Sequence, residues 1–340
     1  MLVTDAWEPQ VNGVVRTYQR IVADLRTAGW NVTILHPGEF YCVPIPGDPH
    51  IPLAVNVWPL LARRLKALKP DYLHLATEGP LGMTARIWCG LHGYRFTSSF
   101  HTKFPEFIDE RIGIPLFLTY GLAKWFHNRA AATLVPTPSL LHDLQKRGFR
   151  RCVQWTHGVD TVRFHPSRRI DLPYAKPVAL FVGRVSVEKN IEAFLKLQLT
   201  GTKVVVGDGP LRAALEARYP EAVFLGEKFG DELSALYASA DVFVFPSRTD
   251  TFGLVLLESL ASGTPIAGFP VTGPIDVAND ATVGGISEDL GEAVLHALRC
   301  SRAACRSFAE KFSWDETERI FVETLVPLRR KAKVRLPKEI

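Results

Sequence analysis

The chain has 340 residues, of which 47% are hydrophobic and 22% charged, with 40 Lys and Arg against 35 Asp and Glu. That length predicts two domains and the apolar share excludes disorder; a net charge of +5 is too mild to call for nucleic acid, while suiting anionic ligands or an anionic membrane surface. Five cysteines without a Cys-x-x-Cys pair, no apolar stretch near the ~20 residues of a membrane span, and an opening unlike a signal peptide lead us to expect a reduced, cytoplasmic protein.

In chain order, residues 2–4 read as the end of a strand, followed by a Gly-containing loop and a helix over 15–28. A strand over 31–36, a helix over 57–69 and a strand over 72–76 come next. Segment 160–177, rich in Arg and Pro, reads as a linker. Beyond it, strands over 178–182, 203–206, 223–225 and 241–245 alternate with helices over 191–197, 210–218, 231–239 and 253–261, and a final helix over 314–325 is expected to pack back across both domains. This βαβ rhythm predicts parallel, doubly wound α/β sheets whose ligand-binding loops lie at the carboxyl ends of the strands.

Asp250 and Glu258 are separated by seven residues, one at the entry of a helix and the other about two turns in. Such carboxylates can hold sugar hydroxyls beside amides that favour phosphate; the plainer alternative is that Asp250 caps the helix and Glu258 is a surface residue. Arg184 and Lys189 follow a strand directly, in Gly183-Arg184-Val185-Ser186-Val187-Glu188-Lys189-Asn190, and can grip a diphosphate, or else are solvated surface cations. Gly207-Asp208-Gly209-Pro210 lacks the third Gly of a dinucleotide fingerprint, and a tight turn explains it. Asn12-Gly13 is a turn signal that gains interest from following the first strand.

His101, at the end of the strand-like Ser98-Ser99-Phe100, can aim a ring nitrogen at a reacting sugar or be structural. No Cys/His cluster has metal-ligand spacing and no Ser-His-Asp trio stands out. Segments 57–69 and 104–126 mix apolar side chains, among them Trp58, Phe107, Ile112, Phe117 and Trp125, with Arg63, Arg64, Arg111 and Lys124. Taken separately each suits a core-facing helix somewhat better than an anionic bilayer surface, and the basic tail at 329–335 tilts the whole towards the membrane.

Together these motifs resemble glycosyltransferase family four, the retaining enzymes of GT-B fold, through nearly the whole chain. The carrying residues are Glu8-Pro9-Gln10-Val11-Asn12-Gly13-Val14, Ser99-Phe100-His101-Thr102-Lys103-Phe104-Pro105-Glu106, Gly158-Val159-Asp160, the 183–190 and 207–210 loops, and Asp250-x7-Glu258, which looks like the family's Glu-x7-Glu. The resemblance implies two Rossmann-like domains facing across a cleft and closing over the donor. Residues 1–165 would bind the acceptor, 166–305 the nucleotide sugar, and 306–340 would supply the final helix and basic tail.

By the same resemblance, Asp250 contacts donor-sugar hydroxyls, Glu258 holds the ribose, and Arg184 and Lys189 bind the diphosphate. Asn12 and Gly13 lie against phosphate, His101 sits by the anomeric centre, and Gly183, Gly209 and the amides of Phe252, Gly253 and Leu254 complete the anion site. Three departures stand out: Asp250 is one methylene shorter than the expected Glu, His157 precedes Gly158 where relatives often place Arg, and the first strand is met only at its end, so the natural amino terminus is expected to be longer.

The branch most similar holds sulfoquinovosyl- and glucuronosyl-diacylglycerol synthases and bacterial α-mannosyltransferases. The expected activity is retaining transfer of a hexosyl or hexuronosyl group from a nucleotide sugar, UDP-linked for preference, to a lipid acceptor such as diacylglycerol at the inner face of the cell membrane. It involves no cofactor, metal or nucleic acid. GDP-mannose-dependent transfer to a saccharide is the alternative, followed by a nucleotide-sugar 2-epimerase and a non-catalytic sensor. No nucleophile is well placed for double displacement, so front-face transfer is expected, with Arg184 and Lys189 stabilising the departing diphosphate.

Overall fold

The computed structural model describes residues 1–10, 12–45 and 48–329. The chain divides into two units. The first comprises Met1–Val135, Leu141–Trp155 and the chain from Glu318 onward; the second comprises Pro136–Leu140 and Thr156–Thr317.

The first unit carries strands β1 (Leu2–Val3), β2 (Ile34–Leu35), β3 (Cys42–Ile45), β4 (Asp48–Ala54), β5 (His74–Leu75), β6 (Thr97–Ser99), β7 (Thr133–Val135) and β8 (Cys152–Gln154). Its helices are α1 (Gly13–Thr27), α2 (Val57–Leu68), α3 (Pro80–His92), α4 (Phe104–Ile112) and α5 (Leu116–His127), while α6 (Pro138–Lys146) starts in the second unit and ends in the first. Six strands form a parallel sheet in the order β2-β1-β5-β6-β7-β8, and β3 and β4 make a separate antiparallel hairpin. In α1 the buried Val15, Tyr18, Ile21, Val22 and Leu25 fall on one stripe, the spacing that drives an amphipathic helix onto a sheet.

The second unit has β9 (Val178–Val182), β10 (Thr202–Val206), β11 (Val223–Phe224), β12 (Val242–Phe245), β13 (Ile266–Gly268) and β14 (Gly284–Ile286), ordered β11-β10-β9-β12-β13-β14 and all parallel. Helices α7 (Ile191–Leu195), α8 (Arg212–Arg218), α9 (Gly230–Ser239), α10 (Leu254–Ala261), α11 (Pro274–Val277), α12 (Leu290–Ala297) and α13 (Arg302–Ala309) connect and follow the strands. The unbroken apolar runs of β9 and β12 are explained by burial on both faces. Leu180 and Phe243 enter one core and Ala179, Phe181, Val242 and Val244 the other.

The last helix, α14 (Trp314–Thr324), belongs to the second unit up to Thr317 and to the first from Glu318, where Ile320, Phe321 and Val322 pack beside Tyr18 and Trp155. The division therefore differs from boundaries at 165/166 and 305/306. Gly158 lies so tightly under α14 that a Cβ on it would stand 2.4 Å from the Trp314 nitrogen, which ties the segment after Trp155 to the second unit. Likewise α13 packs on α10 through Cys305, Phe308 and Ala309 and cannot be separated from that core. The basic tail beyond Arg329 and Val11 of the first motif lie outside the described residues.

Candidate functional site

In the second sheet the strand order reverses between β9 and β12, the place where open parallel sheets leave a crevice beyond their carboxyl ends. The loops that leave these two strands carry Arg184, Lys189 and Asp250. The loop after β10 is zipped to the loop after β9: the Gly183 amide donates to Val206 O at 3.0 Å and the Val185 amide to Asp208 O at 2.9 Å. A Cβ on Gly207 would stand 1.9 Å from Gly183 O, and one on Gly209 2.4 Å from Val185 O, with φ of +137° and +159°. Only glycine allows that approach, so the tight-turn reading of this loop explains both residues.

The loops after β9 and β12 are stitched together. Asn190, left-handed at φ 49°, donates its side-chain amide to Pro246 O at 3.0 Å, and the hydroxyls of Ser247 and Thr249 reach Glu188 O at 3.3 and 3.4 Å. Across this seam Lys189 Nζ stands 2.7 and 2.8 Å from the two carboxylate oxygens of Asp250. Asp250 therefore does not cap α10. The capping position belongs to Gly253, at φ 79°, which has no side chain to offer the amides of the first turn. Those amides and the helix dipole suit an anion.

Glu258 is not a surface residue: it is buried on α10, and the Tyr237 hydroxyl donates to its Oε2 at 3.1 Å. Phe252 is buried with its ring against His157, centroids 4.8 Å apart, and burial pushes the His157 imidazole down to about 3, so it is neutral. The position where relatives often place Arg thus carries no charge here. Arg184 is half-buried in its loop.

In the first unit the corresponding reversal lies between β1 and β5. The loop after β1 is pinned by Asp5, whose carboxylate accepts from the Leu81 amide at 2.8 Å, the Gly82 amide at 3.2 Å and the Thr77 hydroxyl at 2.8 Å. Burial raises Asp5 from 3.8 to about 6. Asn12 caps α1, its Oδ1 accepting from the Val15 amide at 3.0 Å, and Gly13 is the first residue of that helix. His101, buried just past β6, lies with Nε2 2.9 Å from the Tyr18 hydroxyl.

Two groups of the first unit drew no notice in the sequence. Tyr18 looked like any core residue of an amphipathic helix. The buried His127 meets Glu78 at 2.8 Å and Ser98 at 2.9 Å, a carboxylate, imidazole and hydroxyl in line but shut inside the core. Among the described residues no three His, Cys, Asp or Glu are placed to hold a metal ion.

The surface of the first unit carries an apolar row. On α5, Tyr120, Ala123 and Phe126 face inward, while Phe117 is 75% exposed and Leu118, Leu122 and Trp125 are also exposed. The Arg86 guanidinium covers Trp125 at 3.2 Å from the ring centroid, and Lys124 lies beside it on α5. On α2 the stripe Val57, Leu61 and Leu65 is core, leaving Trp58 and Leu68 outside with Arg63 and Arg64. The side chains of Phe107, Arg111 and Ile112 are outside the described set. No helix of the described residues is long and apolar enough to cross a membrane.

The chain is similar to known proteins along nearly its whole length. Residues 11–163 match the model for Glycosyltransferase Family 4, and residues 176–300 that for Glycosyl transferases group 1. The chain is 33% identical to a GDP-mannose-dependent alpha-mannosyltransferase of Mycobacterium tuberculosis, over 92% of each chain. It is 31% identical to the sulfoquinovosyl transferase SQD2 of Arabidopsis thaliana, over 78% of this chain and 58% of that one. In structure it resembles a sucrose-phosphate synthase from Thermosynechococcus elongatus, with TM-score 0.73, 17% identity and coverage of 95% and 97%.

Proposed function

The chain belongs to glycosyltransferase family 4, with two parallel-sheet α/β units of the GT-B fold, and transfers sugar from a nucleotide-sugar donor; from that premise we propose that its acceptor is a lipid at an anionic membrane surface. The donor is a UDP-linked hexose or hexuronic acid and the acceptor a diacylglycerol-type lipid, taken up by the enzyme as a peripheral protein on the inner face of the cell membrane. The observation that carries this reading is the exposed row Phe117, Leu118, Leu122 and Trp125 beside Arg86 and Lys124, apolar groups able to enter a bilayer with cations at headgroup level. Similarity to an alpha-monoglucosyldiacylglycerol synthase of Streptococcus pneumoniae, 24% identical over 87% of this chain and 77% of that one, supports it.

In this reading the diphosphate is met by Arg184 and Lys189 and by the first-turn amides of α10, where opposite charge and a fixed dipole neutralise the leaving group. Asp250 takes sugar hydroxyls, and Glu258, steadied by Tyr237, takes the ribose. Asn12 and Gly13 serve the phosphate, and His101 serves the sugar. The product retains the anomeric configuration by front-face attack, with no cofactor or metal.

A second reading, mannosyl transfer from GDP-mannose, is favoured by the name of the mycobacterial relative, which matches 92% of the chain. Purified protein given a panel of UDP- and GDP-sugars, with and without diacylglycerol-containing anionic vesicles, separates the two by mass spectrometry. Glycolipid formed only with vesicles supports the lipid reading, whereas transfer to a soluble saccharide alone overturns it.

A further inference from the structure

Glu78 stands in the loop between β5 and α3, at the carboxyl end of the first sheet and beside its strand-order reversal. That is where an open parallel sheet leaves a crevice for a ligand. The loop is pressed onto the one that follows β1: a Cβ on Gly79 would stand 2.4 Å from Asp5 Cγ, and one on Gly82 1.9 Å from Thr77 O. Strands β5 and β6 pair His74 with Thr97 and Leu75 with Ser98, so counting on in step puts Glu78 level with His101.

The carboxyl group of Glu78 is held at one oxygen only. Oε1 lies 2.8 Å from His127 Nε2, while Oε2 takes no hydrogen bond from any described residue and is not sealed from solvent. His127 itself is wholly buried, with its ring 4.9 Å from Phe126 and 5.5 Å from Phe100 between centroids. Its Nδ1 is 2.9 Å from Ser98 Oγ, which is also wholly buried and lies 3.1 Å from Thr133 Oγ1. Both ring nitrogens are thus engaged inside the core, and the imidazole cannot reach a ligand. The Glu78 side chain keeps 8% of its surface open where His127 keeps none, so of this group it is Glu78 that can meet one.

The groups read above as holding the diphosphate and the ribose lie in the second unit, and the apolar row that suits a lipid lies in the first. A diacylglycerol has one hydroxyl, and its ester oxygens only accept, so that hydroxyl is the single hydrogen it can donate. A carboxyl group has capacity to accept it in either protonation state. We propose that Glu78 is the acceptor-binding residue: Oε2 takes the hydrogen of the hydroxyl that receives the sugar, while His127 holds Oε1 and orients the group. This rests on the reading that the protein transfers sugar to a hydroxyl-bearing acceptor.

The test compares wild type with Glu78→Met, apolar and of similar length, and with Glu78→Gln, which keeps a hydrogen-bonding group beside His127. Transfer to 1,2-dioleoylglycerol in phosphatidylglycerol vesicles is followed with donor and acceptor varied in turn, the donor being the UDP- or GDP-sugar that the panel selects. In Glu78→Met the acceptor KM should rise on the order of 10- to 100-fold, with donor KM within about twofold and vesicle sedimentation unchanged. Glu78→Gln, which decides the matter if the Met variant does not fold, should raise acceptor KM by roughly tenfold and melt close to wild type. An acceptor KM that stays within about twofold of wild type, or a donor KM that rises in step with it, overturns the proposal. Wild-type transfer to a soluble saccharide alone overturns the lipid reading, and the same comparison on that saccharide then decides the role of Glu78. A wild type that transfers to neither overturns both.

Discussion

Lys189 chelates Asp250, its ammonium 2.7 and 2.8 Å from the two carboxylate oxygens. A donor that brings a diphosphate to Lys189 and hydroxyls to Asp250 must share or divide this pair, so both partners are presented to substrate already oriented. Asp250→Ala should lower kcat/KM on the order of 100-fold, whereas Asp250→Glu, with the longer side chain of the family pattern, should stay within about tenfold of wild type. Steady-state kinetics with varied donor decide it. An Asp250→Ala enzyme of near-normal efficiency would remove this residue from the site.

Arg184→Ala should abolish most turnover, on the order of 100-fold or more in kcat, because the leaving diphosphate loses a planar cationic donor. The side chain is half-buried in a loop rather than in the core, so thermal melting should change little. Equal losses in activity and melting temperature would make it a structural residue instead.

Gly158→Ala should destabilise the second unit by about 3 kcal/mol. The added methyl would stand 2.4 Å from the Trp314 nitrogen and 2.6 Å from the Ser313 carbonyl carbon, all backbone that cannot rotate away. Urea denaturation followed by tryptophan fluorescence gives the number, and an unchanged midpoint would show that the start of α14 yields.

Asp5 supplies a pH dependence. Its folded value of about 6 lies above the ordinary 3.8, chiefly because burial disfavours the charge. Between these values the folded chain holds a proton that the unfolded chain has released, so this contribution is complete below about pH 4 and is lost as pH rises through 6. Its size is on the order of 2–3 kcal/mol. Wild-type stability relative to Asp5→Asn should therefore fall between pH 4 and pH 6 in paired unfolding titrations. A difference that stays flat, or rises, contradicts the assignment.

Phe117→Asp should weaken sedimentation with phosphatidylglycerol vesicles by roughly tenfold, since an exposed apolar group able to enter the bilayer becomes an anion. Activity on a soluble acceptor, where one is found, should be untouched. Binding that persists would move the membrane contact to another face.

Much of the second unit was legible because its strands are unbroken apolar runs punctuated by glycine: β9 falls on residues 178–182 as read, and β10 and β12 lie within a residue of theirs. Strand β13, Ile266–Gly268, is too short to announce itself, and the prolines of β3 and β4 argue against strands that nonetheless pair as a hairpin. Arg184 and Lys189 could be picked out because they follow a strand directly, and Asp250 because it stands at a helix entry seven residues before Glu258. That Lys189 and Asp250 touch could not be seen across their separation of 61 residues. Tyr18 and Asp5 were invisible for the same reason: their partners lie on distant strands and helices, and a tyrosine among core residues has no local mark of a polar task.

Because α14 passes into the first unit, the ribosome releases the parts of that unit with the second unit between them. Tyr18, His74 and Trp155 are made before the second unit, but Phe321, whose ring stands 4.9 Å from His74 and 5.6 Å from Trp155, is made after it. The second unit, nearly continuous from Thr156 to Thr317, can finish while the first still waits with an open seam in its core. Nascent chains halted before Phe321 would expose that seam to chaperones and proteases, so the enzyme completes its first unit only after its second has been made.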